Sequence, residues 1–285
     1  MMNKKYAEIA VIGSGPAGIA AAIQLKRQGN DFLLIEKNKP GGMLRNANLV
    51  ENYPGIFKGL SGVALCGLME KHLDKFDIDI HYDEVLSIKY DGTFYLTGNN
   101  SEISANKIIF ACGTLPVPVS YPEEIPQEKI FRDVADILPV SGRQIAIVGG
   151  GDAAFDYALN LARGYNEVHI LNRSAKTRCL KLLYDRAAIS PMISCYTGTQ
   201  LNSCEMKSGK IFMNCVSPGG GFQIKADYLG YAIGRRANTA LIENISGTYP
   251  KEDIMIIGDA ANGLYRQAAI AAGDGIRAAM EMSRQ

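Results

Sequence analysis

Tryptophan is absent from the 285 residues, histidine occurs three times, and no two cysteines stand in a C-x-x-C. The last two shortages each exclude something. The closest cysteines, Cys195 and Cys204, are nine positions apart, so neither sequence-adjacent metal ligation nor a vicinal redox dithiol is available. These two, with Cys66, Cys112, Cys179 and Cys215, read as small buried hydrophobes of a cytoplasmic chain. His72, His81 and His169 are too scattered to imply a Ser-His-Asp or Cys-His arrangement, and no metal site is expected. Thirty Lys and Arg against 29 Asp and Glu leave a net charge of +1, so no global field draws the chain to nucleic acid or to a membrane surface. No apolar run approaches the ~18 residues of a membrane span. The opening MMNKKYAEIAVIGSG puts two lysines before an apolar stretch, but Gly-Ser-Gly-Pro breaks it, and a first β-strand fits better than a signal peptide. The length and the 47% hydrophobic content suit two medium domains, each with its own core.

What is present is one device that occurs twice. Residues 9–18 read IAVIGSGPAG and residues 145–154 read IAIVGGGDAA. In the first unit, the run from Glu8 to Ile12 predicts a buried parallel strand. Gly13, Gly15 and Gly18 make a G-x-G-x-x-G. AGIAAAIQLKRQG has helical spacing and closes at Gly29, and DFLLI predicts a second strand ending at Glu36. This β-α-β context gives the glycines their meaning. Gly13 permits the tight turn, Gly15 lets a pyrophosphate approach the backbone, and Gly18 lets helix and strand pack closely. The helix N-terminus then faces the phosphates. The competing reading is a tight βα turn with no ligand. The second unit repeats the pattern as Gly149, Gly151 and Ala154, the helix DAAFDYALNLARG and the strand EVHIL.

The residue that closes each second strand differs. Glu36 follows Gly13 by 23 positions, and Asn172 follows Gly149 by 23. A carboxylate there accepts bonds from an adenosine ribose diol and repels a ribose phosphate, so Glu36 suits FAD or NAD. Asn172 removes the repulsion, and Arg173 and Arg178 stand where arginines clamp a 2′-phosphate. The second site is therefore expected to prefer NADP, although solvated surface charges remain the other reading of the arginines. A site for FAD beside one for NADP describes a flavin reductase that passes a hydride between two dinucleotides.

The sequence resembles the low-molecular-weight thioredoxin reductase family over nearly its whole length. The resemblance lies in GSGPAGIAAA, in PGGML (40–44) and ENYPG (51–55), and in ACGT (111–114), where Cys112 stands in a threonine position. It continues in VGGGDAAFDYAL, in YAIGRRANT (231–239) and in IIGDAANGLYRQAAIAAGDGIRAAM (256–280). The family's redox cysteine pair is missing, since EKIFRDVADILPVSGRQIAIVGGG holds no cysteine, and Ser174 replaces one arginine of the family's phosphate clamp. GGGDAAFDYALNLA is closer in motif to the ferredoxin or flavodoxin–NADP reductases of thioredoxin-reductase type, which also lack the pair and carry a C-terminal extension. This chain closes at Gln285 directly after its last predicted helix.

The resemblance implies an α/β fold of two Rossmann-like (three-layer ββα) domains, the second inserted in the first. The FAD-binding domain is expected at 1–115 plus 243–285, and the NAD(P)H-binding domain at 116–242. The prolines of TLPVPVSYPEEIP and the segment around Gly234, Arg235 and Arg236 independently read as the two crossings. FAD is expected against Gly13, Gly15, Pro16, Ala17, Gly18, Glu36, Lys37, Gly41, Gly42, Met43, Asn52, Cys112, Gly113, Gly258, Asp259, Arg266, Gln267 and Ala268. NADP is expected against Gly149, Gly151, Asp152, Ala153, Ala154, Asn172, Arg173 and Arg178, with NAD as a competitor. On the residues alone, Pro40-Gly41-Gly42 also reads as a plain turn, and Asp259 as a helix cap. No side chain is expected to be catalytic, because the cofactors carry the hydride. The expected acceptor is external, a ferredoxin, a flavodoxin or a small molecule, and the resemblance implies a homodimer. Two alternatives stand beside this. One is a disulfide reductase using Cys112 or a partner's cysteines, and the other is a nucleotide-binding sensor without turnover.

Overall fold

The computed structural model describes residues 3–284. They form two compact units: residues up to Arg45, Val50–Leu115 and the chain from Arg236 on make the first, and Asn46–Leu49 with Pro116–Arg235 make the second. No helix among the described residues is long and apolar enough to cross a membrane.

The first unit begins with β1 (Asn3–Ile12), α1 (Pro16–Arg27) and β2 (Phe32–Glu36), followed by α2 (Gly62–Lys75), β3 (Ile80–Tyr82), β4 (Val85–Tyr90), β5 (Phe94–Gly98) and β6 (Ser101–Phe110). Its sheet runs β3-β2-β1-β6-β5-β4. β1 is parallel to both β2 and β6, as buried β-branched runs favour. The β4-β5 hairpin joins β6 antiparallel. Beneath the sheet, α1 buries Ala17, Gly18, Ala21, Ala22 and Leu25. Small residues predominate there because another helix lies close against them.

The chain leaves this unit through β7 (Thr114–Pro116). The second unit runs through β8 (Ile130–Phe131), β9 (Gln144–Val148), α3 (Asp152–Ala162), β10 (Glu167–Asn172), α4 (Lys181–Ala188) and β11 (Ile193–Thr197). It continues with β12 (Gln200–Lys207), β13 (Lys210–Ser217), β14 (Gly220–Ala226) and β15 (Tyr228–Tyr231). Its sheet, ordered β11-β10-β9-β15-β8, is parallel throughout, and β12-β13-β14 form a separate antiparallel meander. Ile145, Ile147, Val168 and Ile170 are fully buried, each contributing roughly 1.5–3 kcal/mol.

The return is β16 (Arg235–Ala237), paired with β7 as a two-stranded ribbon. Val117 N donates to Gly234 O at 3.1 Å beside it. Then follow α5 (Ala240–Glu243), β17 (Ile254–Ile256) and α6 (Ala268–Met282). β17 lies parallel to the C-terminal half of β6, where β5 has left off. The closing helix is the one packed on α1. A Cβ on Gly275 would come 2.1 Å from Ala17 O, so the two backbones touch.

Candidate functional site

Within the first unit, the backbone itself demands two of the three glycines. A Cβ on Gly13, at φ +100, would lie 2.6 Å from Ala111 O, and one on Gly18 would lie 1.8 Å from Gly13 O. Gly13 N donates to Ile35 O and Ala111 N to Ile12 O, both at 2.8 Å, so three strands meet at this turn. Gly15 differs: a Cβ there would meet nothing within 4 Å. The helix starts at that open space with Pro16 in its first turn and no side-chain cap. Its first N–H groups and the positive end of the helix dipole are left for an anion. A pyrophosphate fits a cradle that a side chain would otherwise narrow.

Glu36 stands beside this cradle, half-buried. Its Oε2 accepts from Ser14 N at 2.7 Å and Ser14 Oγ at 2.8 Å, and its Oε1 accepts from Asn38 N at 2.9 Å. Oε2 thus has both of its acceptor sites filled, while Oε1 keeps one, so the group is oriented and still able to accept from a ribose hydroxyl. Lys37 is turned to Glu84 at 3.1 Å. The Pro40-Gly41-Gly42 turn is tied to the glycine loop by Gly41 N donating to Ser14 O at 2.7 Å, and a Cβ on Gly42 would sit 3.5 Å from Gly15 Cα. Met43 follows, half-buried in a short 3-10 turn.

Asn52 and Gln267, far apart in sequence, are joined by Asn52 Nδ2 donating to Gln267 Oε1 at 2.8 Å. Gln267 is the backbone cap of α6, and Ala268 opens that helix, which again has no side-chain cap. Gly258, at φ +65, and half-buried Asp259 lie in a 3-10 turn, while Arg266 is half-buried just before α6. Cys112 Sγ lies 3.6 Å from Ile12 O, to which it donates. Burial first, and Glu36 second, push its thiol up to about 12, so it carries essentially no thiolate at neutral pH. Gly113 O accepts from Asn238 N at 3.0 Å.

The second unit repeats this geometry. Gly149 N donates to Leu171 O at 3.0 Å and Ala232 N to Val148 O at 2.8 Å, while a Cβ on Gly149 would lie 2.4 Å from Ala232 O. The space over Gly151 is open, and α3 starts there without a side-chain cap. Ala154 is fully buried where the first unit has Gly18, and Ala153 is exposed. Asp152 Oδ1 accepts from Leu180 N at 2.7 Å, drawing the start of α4 toward the start of α3.

Asn172 is buried, and both ends of its amide are hydrogen-bonded. Its Nδ2 donates to Ser174 O at 2.8 Å and Lys176 O at 3.2 Å, and its Oδ1 accepts from Ser174 N at 3.3 Å. Arg178 N donates to Gly150 O at 2.7 Å. Asn172 therefore shapes the loop that carries Arg173 and Arg178, whose side chains are exposed. Gly150 is required for this: a Cβ there would come 2.2 Å from Asn172 Oδ1.

Sequence reasoning missed Ser14, which reads as a spacer between glycines, and the segment Asn46–Leu49, which clusters with the second unit. Asn46 Oδ1 accepts from Ala135 N, and Asn48 N donates to Asp156 Oδ2, both at 2.9 Å. Burial raises the Asp156 carboxyl to about 6 against the opposing pull of the Asn48 bond. The histidines have structural partners or face solvent. His81 bridges Lys5 Nζ and Ser101 Oγ at 3.0 Å each, His169 meets Tyr196 OH at 3.4 Å, and His72 is exposed. Burial lowers the pKa of both His81 and His169, so both are neutral near pH 7.

The family described as pyridine nucleotide-disulphide oxidoreductase matches residues 7–275. A thioredoxin reductase of Buchnera aphidicola subsp. Acyrthosiphon pisum is 28% identical over 324 aligned residues, covering 100% of this chain and 98% of its own. A glucosaminate ammonia-lyase of Pseudomonas fluorescens is also 28% identical, covering 100% and 97%. Among solved structures, Lactococcus lactis thioredoxin reductase in its FR conformation is similar with a TM-score of 0.86 at 25% identity, over 98% of each chain.

Proposed function

The chain belongs to the pyridine nucleotide-disulphide oxidoreductase family, whose thioredoxin-reductase-like members are FAD-dependent and use NADPH, and from that premise we propose that it passes electrons from NADPH through FAD to an external acceptor. A ferredoxin, a flavodoxin or a small molecule takes that place, and no internal dithiol takes part. The observation that carries the reading is the pair of open, uncapped helix starts at Gly15 and Gly151 in a chain with no C-x-x-C.

When bound, the nicotinamide supplies a hydride and the flavin accepts it. The first unit serves as the FAD-binding domain and the second as the NADPH-binding domain. The Gly13–Gly18 turn and the start of α1 hold the FAD pyrophosphate. Glu36 orients the adenosine ribose, with Ser14 holding the carboxylate in place. The Gly41-Gly42 turn would border the flavin, and the uncapped N-terminus of α6 would favour negative charge on it. In the second unit the Gly149–Ala154 turn holds the other pyrophosphate. Arg173 and Arg178 pair with a 2′-phosphate on the loop that Asn172 organises. Ser174 contributes no charge there, so NADH competes. A homodimer belongs to the same reading.

Thioredoxin reduction through Cys112 is disfavoured by its protonated, hydrogen-bonded thiol. The test is a panel of acceptors offered with NADPH to the purified yellow protein. Ferredoxin, flavodoxin or dye reduction is expected, with thioredoxin left oxidised. A colourless protein that does not take up FAD, or thioredoxin reduced as fast as the dye, overturns the reading.

A further inference from the structure

We propose that Arg45 is a positioning residue for FAD, which clamps the Pro40-Gly41-Gly42 turn onto helix α2. The inference rests on the reading that this turn faces the flavin. Arg45 Nε donates to Pro40 O at 2.6 Å, and its Nη2 meets Glu70 Oε1 at 2.5 Å. The side chains are 22% and 38% exposed, so the pair is partly shielded from water, where charge-assisted bonds are strongest. Glu70 belongs to α2, and so does Cys66, one turn earlier. A Cβ on Gly41 would come 2.3 Å from Cys66 Sγ and 3.5 Å from Arg45 Cγ. The turn is thus wedged against α2 on one side and bonded to Ser14 O of the glycine loop on the other.

The reason to hold it lies in its backbone. Gly41 and Gly42 carry φ of +101 and +52, which glycine adopts readily but with the largest loss of conformational freedom. A loose turn would have to be ordered when FAD binds, and ordering it beforehand removes that cost from binding. Only a planar guanidinium can donate to the Pro40 carbonyl and pair with Glu70 from one rigid fork. Lysine keeps the charge and loses one of the two contacts.

The experiment removes the flavin from the folded protein and measures FAD rebinding by fluorescence quenching, with the visible circular dichroism of the bound flavin as a reporter of its placement. Arg45→Met is expected to weaken FAD binding about tenfold or more and to alter the visible band. Arg45→Lys should recover part of the loss. Glu70→Gln, which keeps an acceptor oxygen, should weaken binding about threefold, and it carries the test if Arg45→Met does not fold. Variants that fold, lose thermal stability alone and bind FAD with the wild-type Kd and band overturn the role of Arg45. Wild-type protein that rebinds no FAD overturns the underlying reading as well.

Discussion

Glu36 and Asn172 close the second strand of two units built to one plan, yet their side chains do different work. In the first unit the carboxylate reaches back to the glycine loop, taking both Ser14 N and Ser14 Oγ. In the second the amide reaches forward, donating to Ser174 O and Lys176 O. A carboxylate has no donor to give and could not make those two bonds. The residue after the first glycine has changed in step: Ser14 supplies donors to Glu36, and Gly150 has no side chain because Asn172 lies over it. One backbone plan thus presents an acceptor beside one cradle and a cationic loop beside the other. The third strands match too, with Ala111 and Ala232 in the same bonds and Cys112 where the second unit has Ile233.

Packing between helix and glycine turn separates the units most sharply. Gly18→Ala drives a Cβ to 1.8 Å from Gly13 O, whereas Ala154 already carries one in the second unit. Gly18→Ala should destabilise the protein by about 3 kcal/mol and abolish FAD retention. Ala154→Gly should cost about 1 kcal/mol and leave the flavin bound. Thermal unfolding and flavin content check both, and equal effects would erase the distinction.

The next difference lies on the helices. Ala20 of α1 corresponds to Asp156 of α3, whose carboxyl is raised to about 6 by burial. A raised carboxyl means that the folded state holds its proton more tightly than the unfolded chain. Stability therefore falls as pH rises from the ordinary carboxylate value of 3.8 to about 6, and the full penalty applies above that. Asp156→Asn should stabilise by about 2 kcal/mol at pH ~7 and by nothing near pH ~4. Denaturant melts across that range decide it, and a gain independent of pH would refute the cause.

Arg173→Ala should lower the NADPH-over-NADH preference in flavin reduction about tenfold, roughly 1.5 kcal/mol. An unchanged ratio means that the loop does not read the phosphate. Asn172→Glu is the weaker probe, because it breaks the loop as well as adding charge. The smallest expected effect concerns Cys112. With its thiol at about 12, iodoacetamide near pH ~8 should leave it unmodified in the folded protein while exposed Cys195 reacts. Mass spectrometry reads both, and prompt labelling of Cys112 would revive a thiol mechanism.

The β-α-β repeats were legible because glycine spacing and strand-helix-strand periodicity are local, and each unit repeats them within about 30 residues. The tertiary consequences were not. Nothing in the sequence marks Ser14 as a partner of Glu36, since their bond depends on how β1 and β2 pair. Asn172 read as the absence of a repelling charge, whereas its burial makes it the organiser of the following loop. The cluster of Asn46–Leu49 with the second unit is a long-range event, as is the wedge of Cys66 and Arg45 behind Gly41. Both depend on packing that no periodicity records.

An anaerobic titration of the purified protein with NADPH tests the central proposal most directly, that NADPH reduces a flavin on this chain without a dithiol taking part. A flavin alone takes both electrons of one hydride, so visible absorbance should bleach fully at about one equivalent of NADPH per flavin. An endpoint near two equivalents, or no bleaching at all, would contradict the account.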